Sequence, residues 1–123
     1  MTTIQSFVDL QAWKEAHVLV LLIYRVTEQF PRSEQFGLTS QLRRAAVSIS
    51  SNIAEGFSRH SPRDKANFYT TALSSLTEVQ NQILIARDVS YLKSEEFLKI
   101  EQQTIVVSKL INGLLKYVRA RIP

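Results

Sequence analysis

The residues whose side chains are best suited to binding or catalysis form a polar stripe in the middle of the chain. Arg44, Ser48, Ser51, Asn52 and Glu55 occur at i, i+4, i+7, i+8 and i+11, so on a helix they share one face. Ser and Asn are poor choices for a merely solvated helix, which Glu, Lys and Gln would stabilise better. The spacing therefore favours a buried or interfacial network, in which the two charged residues satisfy the hydroxyl and amide groups. A solvated face, a ligand site and a catalytic site are the alternatives.

Basic residues are concentrated in two segments, around the second helix and at the end of the chain. The net charge is +4, yet residues 66–108 are net acidic. Clustered Arg and Lys side chains are what contacts with nucleic-acid phosphates require. The alternative is that the terminal cations only complement a helix dipole. The candidate nucleic-acid contacts are Arg43, Arg44, Arg59, Arg63, Lys65, Lys109, Lys116, Arg119 and Arg121.

Patterns that would indicate catalysis or cofactor binding are missing from the sequence. The chain has no cysteine, no Gly-x-Ser-x-Gly motif and no glycine-rich phosphate loop. A di-iron bundle needs Glu-x-x-His twice, but the residues three positions before His17 and His60 are Lys14 and Phe57. The sequence therefore predicts no catalytic residue, no metal site and no cofactor, and a protein that is not an enzyme.

The elements that must position these residues are four long helices. The chain has 123 residues with only three glycines and three prolines, too few turn residues for an all-β domain. Apolar residues recur at helical spacing over about 9–29, 38–59, 62–88 and 95–121. Because the links between them are short, neighbouring helices must be antiparallel. The prediction is an all-α, up-down-up-down four-helix bundle that forms one domain over residues 1–123.

Local signals refine this prediction at a few positions. Asp9 is a plausible N-cap for the first helix, and the Ser61-Pro62 pair with Asp64 predicts a capped start for the third. Gly113 inside the fourth helix suggests a close neighbour there. The first helix is apolar on nearly every side, so it needs a second partner besides the core.

The sequence predicts a protein without a membrane-spanning segment. The longest apolar run, Val18–Tyr24, has seven residues, whereas a spanning helix needs roughly 20. The amino terminus lacks the basic and small residues of a signal peptide. A cytoplasmic protein is the expectation.

Three segments of the chain resemble one protein family. They are FVDLQAWKEAH at 7–17, FPRSEQFGLTSQL at 30–42 and RRAAVSISSNIAEG at 43–56. Together with Ser74, Ser75, Leu76 and Glu78, they resemble the four-helix-bundle proteins of the large-subunit rRNA intervening-sequence family, also called a ribosomal protein family. The family often has a proline where this chain has Ser50, which affects how the helix bends there.

The resemblance implies an up-down bundle that assembles into a homopentamer. The accessory proteins of diversity-generating retroelements are similar bundles that form pentameric rings and associate with nucleic acid and reverse transcriptase. No catalytic residue is established for the family, so none is carried over. Arg43, Arg44, Asn52 and Glu55 match its signature and are implied to share a structural or binding role.

Composition and resemblance together lead to one functional hypothesis and one alternative. The first is a non-enzymatic homo-oligomer that associates electrostatically with RNA or DNA; a nucleic-acid-processing protein is a further candidate partner. The alternative is a scaffolding protein that binds a protein partner without touching nucleic acid, with the polar stripe as the subunit contact.

Overall fold

The computed structural model describes residues 3–123, and within them every long element is a helix. The helices are α1 (Gln11–Thr27), α2 (Leu38–Ser58), α3 (Pro62–Asp88) and α4 (Ser94–Arg119). Short 3-10 turns at Phe7–Asp9 and Arg32–Glu34 precede α1 and α2. None of the helices in the described chain is long and apolar enough to cross a membrane.

The helices form a bundle in which each packs on the one before it and α1 closes the ring against α4. Contacts between helix ends show alternating directions. Arg43 near the start of α2 donates a hydrogen bond to Thr27 at the end of α1, with an Nε–Oγ1 distance of 2.9 Å. Lys65 near the start of α3 bonds to Phe57 at the end of α2. The all-α four-helix bundle predicted from the sequence is confirmed.

The core runs along the bundle axis and is supplied by all four helices. Apolar side chains at i, i+3, i+4 and i+7 bury one face of each helix, as their spacing predicts. Burial of these side chains supplies the main stabilisation, about 25 cal/mol per Å² of apolar surface. The largest fully buried side chains are Leu19, Ile23, Leu42, Ile49, Ile53, Leu76, Val79, Ile83, Ile100, Val107, Ile111 and Leu115.

The first helix begins later than expected, because Asp9 caps a different element. Ser6 accepts a hydrogen bond from the Val8 backbone, and the Asp9 carboxylate accepts hydrogen bonds from the Gln5 and Ser6 N–H groups. This reciprocal capping stabilises the 3-10 turn at residues 7–9 and lowers the pKa of Asp9. Leu10 is therefore the N-cap of α1 and has no side-chain hydrogen bond in that role.

The start of α3 is as predicted. Ser61 accepts a hydrogen bond from the Asp64 backbone at an N–Oγ distance of 3.1 Å, and Pro62 occupies the first helical position. The end of α2 packs closely on this helix, because a Cβ at Gly56 would lie 2.6 Å from a ring carbon of Tyr69. Glycine is required there for the two helices to approach.

The prediction of a close neighbour at Gly113 is wrong for the part of the chain that the structure describes. Apart from its chain neighbours and the backbone of its own helix, a Cβ at this position meets no described atom within 4 Å, and the residue is exposed. Glycine is therefore not explained by packing within the bundle.

Glu34 connects the start of α2 to the link before α4. Its carboxylate accepts hydrogen bonds from the Leu38 backbone at 3.1 Å and from the Tyr91 hydroxyl at 2.9 Å. The backbone bond and then the phenol bond hold the pKa of Glu34 below its ordinary value. Such a side chain satisfies one of the N–H groups that the first turn of a helix leaves open.

Candidate nucleic-acid interface

The alternating helix directions bring residues 59–65 and 116–121, which are parts of the two basic segments, to one end of the bundle. The end of α2, the start of α3 and the end of α4 lie together there: Phe57, Tyr69 and Val118 line a common pocket. The cations of this shared end, called the basic end below, are Arg59, Arg63, Lys65, Lys116, Arg119 and Arg121. Glu55 and Asp64 are acidic neighbours in sequence, so the surplus at this end is positive.

Three cations of the basic end already have partners within the chain. Arg59 pairs with Glu55 at 3.7 Å between exposed side chains and lies over the Phe68 ring. Arg121 donates a hydrogen bond to the Tyr117 carbonyl at 2.9 Å and stacks on the same residue's ring. Lys65 points inward to the carbonyl groups that end α2. An exposed pair contributes little to stability, so Arg59 could still exchange its partner for a phosphate.

Arg63, Lys116 and Arg119 are the cations of this end most available to a ligand. All three are exposed, and none takes part in an ion pair within residues 3–123. Lys109 is also exposed and lies seven residues before Lys116, on the same side of α4. These four residues extend the positive surface from the basic end along α4.

The structure places Arg43 away from this surface, at the opposite end of the bundle. Its guanidinium donates to the Thr27 hydroxyl at 2.9 Å and to the Tyr24 carbonyl at 3.4 Å, and it lies over the Tyr24 ring. Arg43 therefore joins α2 to the end of α1. It is a structural residue in this arrangement, and its sequence neighbour Arg44 faces a different helix.

Arg44 lines a polar groove between α2 and α3. The groove has a volume of about 370 Å³, and Ser48, Ser75, Glu78 and Gln82 also line it. No ion pair joins Arg44 to Glu78 in the described chain, so a cation and an anion lie unpaired in one groove. The side-chain oxygen of Gln82 is buried and has no hydrogen-bond partner within residues 3–123.

The network expected along the α2 stripe is present only at its centre. The Ser48 and Ser75 hydroxyl groups share a hydrogen bond of 2.7 Å between α2 and α3. Asn52 donates to the Ser48 carbonyl at 2.8 Å and to its hydroxyl at 3.1 Å. Ser51 and Glu55 are exposed, and Glu55 pairs with Arg59 instead of with the stripe.

Neither histidine belongs to a cluster that could hold a metal ion. His17 is exposed and stacks on Trp13 with ring centres 4.8 Å apart, and His60 is exposed in the link before α3. Among the residues described, no three or more His, Asp or Glu side chains form such a group.

The sequence does not predict which polar residues are buried in the interior. Thr27, Ser75, Gln82 and Thr104 are each at most 8% exposed. Each interrupts an otherwise apolar face, and only Ser75 is among the residues that carry the family resemblance. Ser75 and Gln82 lie seven residues apart on α3, which is the spacing of one face. That spacing is the signal that could have located the groove.

Comparison with known families identifies the chain. Residues 8–113 match the model of a family described as 23S rRNA-intervening sequence protein. The chain belongs to the 23S rRNA-intervening sequence protein family. This membership confirms the resemblance found in the three sequence segments.

The fold of this intervening-sequence protein is also seen in a solved structure from Bacteroides thetaiotaomicron VPI-5482. That protein is of unknown function and comes from the S23 ribosomal protein family. The TM-score is 0.79 at 20% sequence identity, over 85% of this chain and 98% of that chain. At this identity the likeness shows the fold alone. No curated protein matches the sequence.

Proposed function

We propose that this intervening-sequence protein is a non-enzymatic homo-oligomer that binds RNA or DNA through its basic end. The observation that supports the proposal is the convergence of two basic segments, 59–65 and 116–121, which are distant in sequence. Contacts with phosphates are sequence-independent and need only such a concentration of exposed cations. A nucleic-acid-processing protein would bind to the same protein–nucleic acid complex. The complex would act in the cytoplasm.

The outer face of α1 supports the oligomeric part of the proposal. Val18 and Leu21 are 41% and 49% exposed, and the neighbouring Tyr24 is 40% exposed. An apolar helix face of this kind is typical of contacts between subunits. Five copies at +4 each, the number that the resemblance implies, would carry roughly +20 before screening.

The test is a salt titration of binding to RNA and to DNA. We expect the affinity to fall steeply with salt, with a slope of about 0.9 per phosphate contact on duplex DNA and about 0.7 on single strands. Lys116→Gln and Arg119→Gln should each weaken binding and reduce the slope by about one contact. Arg32→Gln is the matched control, since it removes the same charge from an exposed site at the other end of the bundle.

The proposal fails if no binding occurs even at low salt, or if binding is insensitive to salt. It also fails if Arg32→Gln weakens binding as much as the two α4 variants do. In that case only the net charge matters, and the basic end is not an interface.

The α2–α3 groove favours a second candidate, a scaffold that binds protein alone. Its unpaired Arg44 and Glu78 could form ion pairs with another chain. This function predicts that Arg44→Ala changes the oligomer mass in light scattering and leaves nucleic-acid affinity unchanged. Asn52→Ala should act in the same direction by releasing Ser48. An unchanged mass for both variants would contradict it.

A further inference from the structure

The basic end also contains a pocket that is lined by Lys65 but by none of the exposed cations of that end. Its volume is about 420 Å³, within the range of roughly 300–1,000 Å³ typical of small-molecule sites. Leu10, Phe57, Leu114 and Val118 form apolar walls from α1's N-terminal side, α2 and α4. Two polar residues of α3, Lys65 and Tyr69, also line it, and Ile4 and Tyr117 complete the lining.

The two polar residues are hydrogen-bond donors on one face of α3. They are four residues apart, so their side chains are neighbours on the helix surface. Tyr69 is only 2% exposed, and it lines the pocket. Lys65 donates to the Phe57 carbonyl at 2.7 Å and to the Gly56 carbonyl at 3.3 Å. An ammonium group has three donors, so one of them is still available.

The surroundings disfavour a lone positive charge in this pocket. Burial lowers the pKa of Lys65 and raises the pKa of Tyr69, because both charged forms lose contact with water. The described residues that line the pocket include no Asp or Glu to balance the ammonium. A bound anion would supply that balance and would also accept a hydrogen bond from the Tyr69 hydroxyl.

We propose that this pocket binds a small organic anion that has an apolar body and a carboxylate head, such as a medium-chain fatty acid or an aryl carboxylate. The carboxylate would accept hydrogen bonds from Lys65 and Tyr69, and the body would lie against Leu114 and Phe57. A carboxylate has only acceptor atoms, which matches a lining whose charged group is a donor. A protonated amine would be repelled by the Lys65 ammonium group. A free phosphate ion would be disfavoured because its charge would be buried against apolar walls. This site does not depend on nucleic-acid binding.

Calorimetric titration with octanoate below its micelle concentration tests the proposal. Octylamine, which has the same chain and the opposite charge, is the matched probe. We expect octanoate to bind and octylamine not to bind. Tyr69→Phe keeps the ring and removes the hydroxyl, so it should weaken octanoate binding about tenfold or more. Lys65→Met should abolish binding, and Lys116→Met is the control cation that does not line the pocket.

Additional variants keep the test decisive if Lys65→Met disturbs folding, since Lys65 also binds the end of α2. Leu114→Trp should block binding by filling the pocket while the circular dichroism spectrum stays helical. The proposal is overturned if octanoate does not bind at millimolar concentration, or if octylamine binds equally well. It is also overturned if Tyr69→Phe and Leu114→Trp both bind octanoate as tightly as Lys116→Met does.

Discussion

Replacing Gly113 by alanine is expected to stabilise the protein by about 1 kcal/mol. Gly113 lies inside α4 and is exposed, and a Cβ there would meet no described atom within 4 Å beyond its chain neighbours and its own helix backbone. Alanine is more favourable than glycine in a helix interior by about 0.8–1.0 kcal/mol, because glycine loses more backbone freedom on folding. No steric cost opposes this gain within the bundle.

The stabilisation is large enough to measure by thermal unfolding. A chain of 123 residues has an unfolding entropy of roughly 0.26 kcal/mol/K, so 1 kcal/mol raises the Tm by about 4 °C. Differential scanning calorimetry of the wild type and Gly113→Ala gives this shift directly. Gln102→Ala is the matched control, an exposed α4 position where the change should stay within about 0.5 kcal/mol.

A Tm for Gly113→Ala that is unchanged or lower would refute this reasoning. It would mean that another chain packs against Gly113 in the assembled protein, where a methyl group would collide with it. Light scattering at the same concentration shows whether Gly113 lies in a subunit contact. If it does, the Gly113→Ala variant should also form a smaller oligomer than the wild type.

Three other predictions concern contacts between helices and at their ends. Gly56→Ala should lower the free energy of unfolding by about 1–2 kcal/mol, because overpacking against Tyr69 exceeds the gain in helix propensity; an equal or higher Tm would contradict the close contact. Ser61→Ala should cost about 1 kcal/mol in urea unfolding through loss of the cap on Asp64, whereas Ser61→Asp should restore it. The folded-state pKa of Glu34 lies below its ordinary value of 4.5, so its stabilisation is complete above that pH and is lost as the pH falls through the folded-state pKa. The difference in Tm between wild type and Glu34→Gln should therefore shrink between about pH 7 and about pH 3, and a constant difference would contradict the assignment.

The sequence predicts the number, type and order of the helices because their apolar spacing is long and regular. Whether the start of an individual helix is predicted correctly depends on the capping residues beside it. The start of α3 is specified by Ser61 and Pro62, which act within one turn. The start of α1 is not, because Asp9 and Ser6 cap a 3-10 turn and leave Leu10 as an N-cap without a side-chain bond.

The sequence predicts the parts of the site whose position follows from the topology of the bundle. It does not predict which side chains pair with each other. An up-down-up-down bundle necessarily places Arg63 and Arg119 at the same end, so the basic end follows from the predicted fold. The partners of Arg43 do not follow, since Thr27 is sixteen residues away and reads as a surface residue. The groove beside Arg44 depends on the burial of Gln82, which results from packing of α2 on α3. Its one signal in the sequence is the seven-residue spacing from Ser75, which by itself does not indicate burial.

The close packing of α2 on α3 has a consequence for how the protein folds. The two helices are joined by three residues, 59–61, and meet through the Ser48–Ser75 hydroxyl pair and the contact of Gly56 with Tyr69. A short connection makes loop closure cheap, so contacts between neighbouring helices form quickly. We expect this helical hairpin to be structured in the folding transition state and its amides to exchange with solvent most slowly. The α1–α4 pair, joined only through the rest of the chain, would close the bundle last.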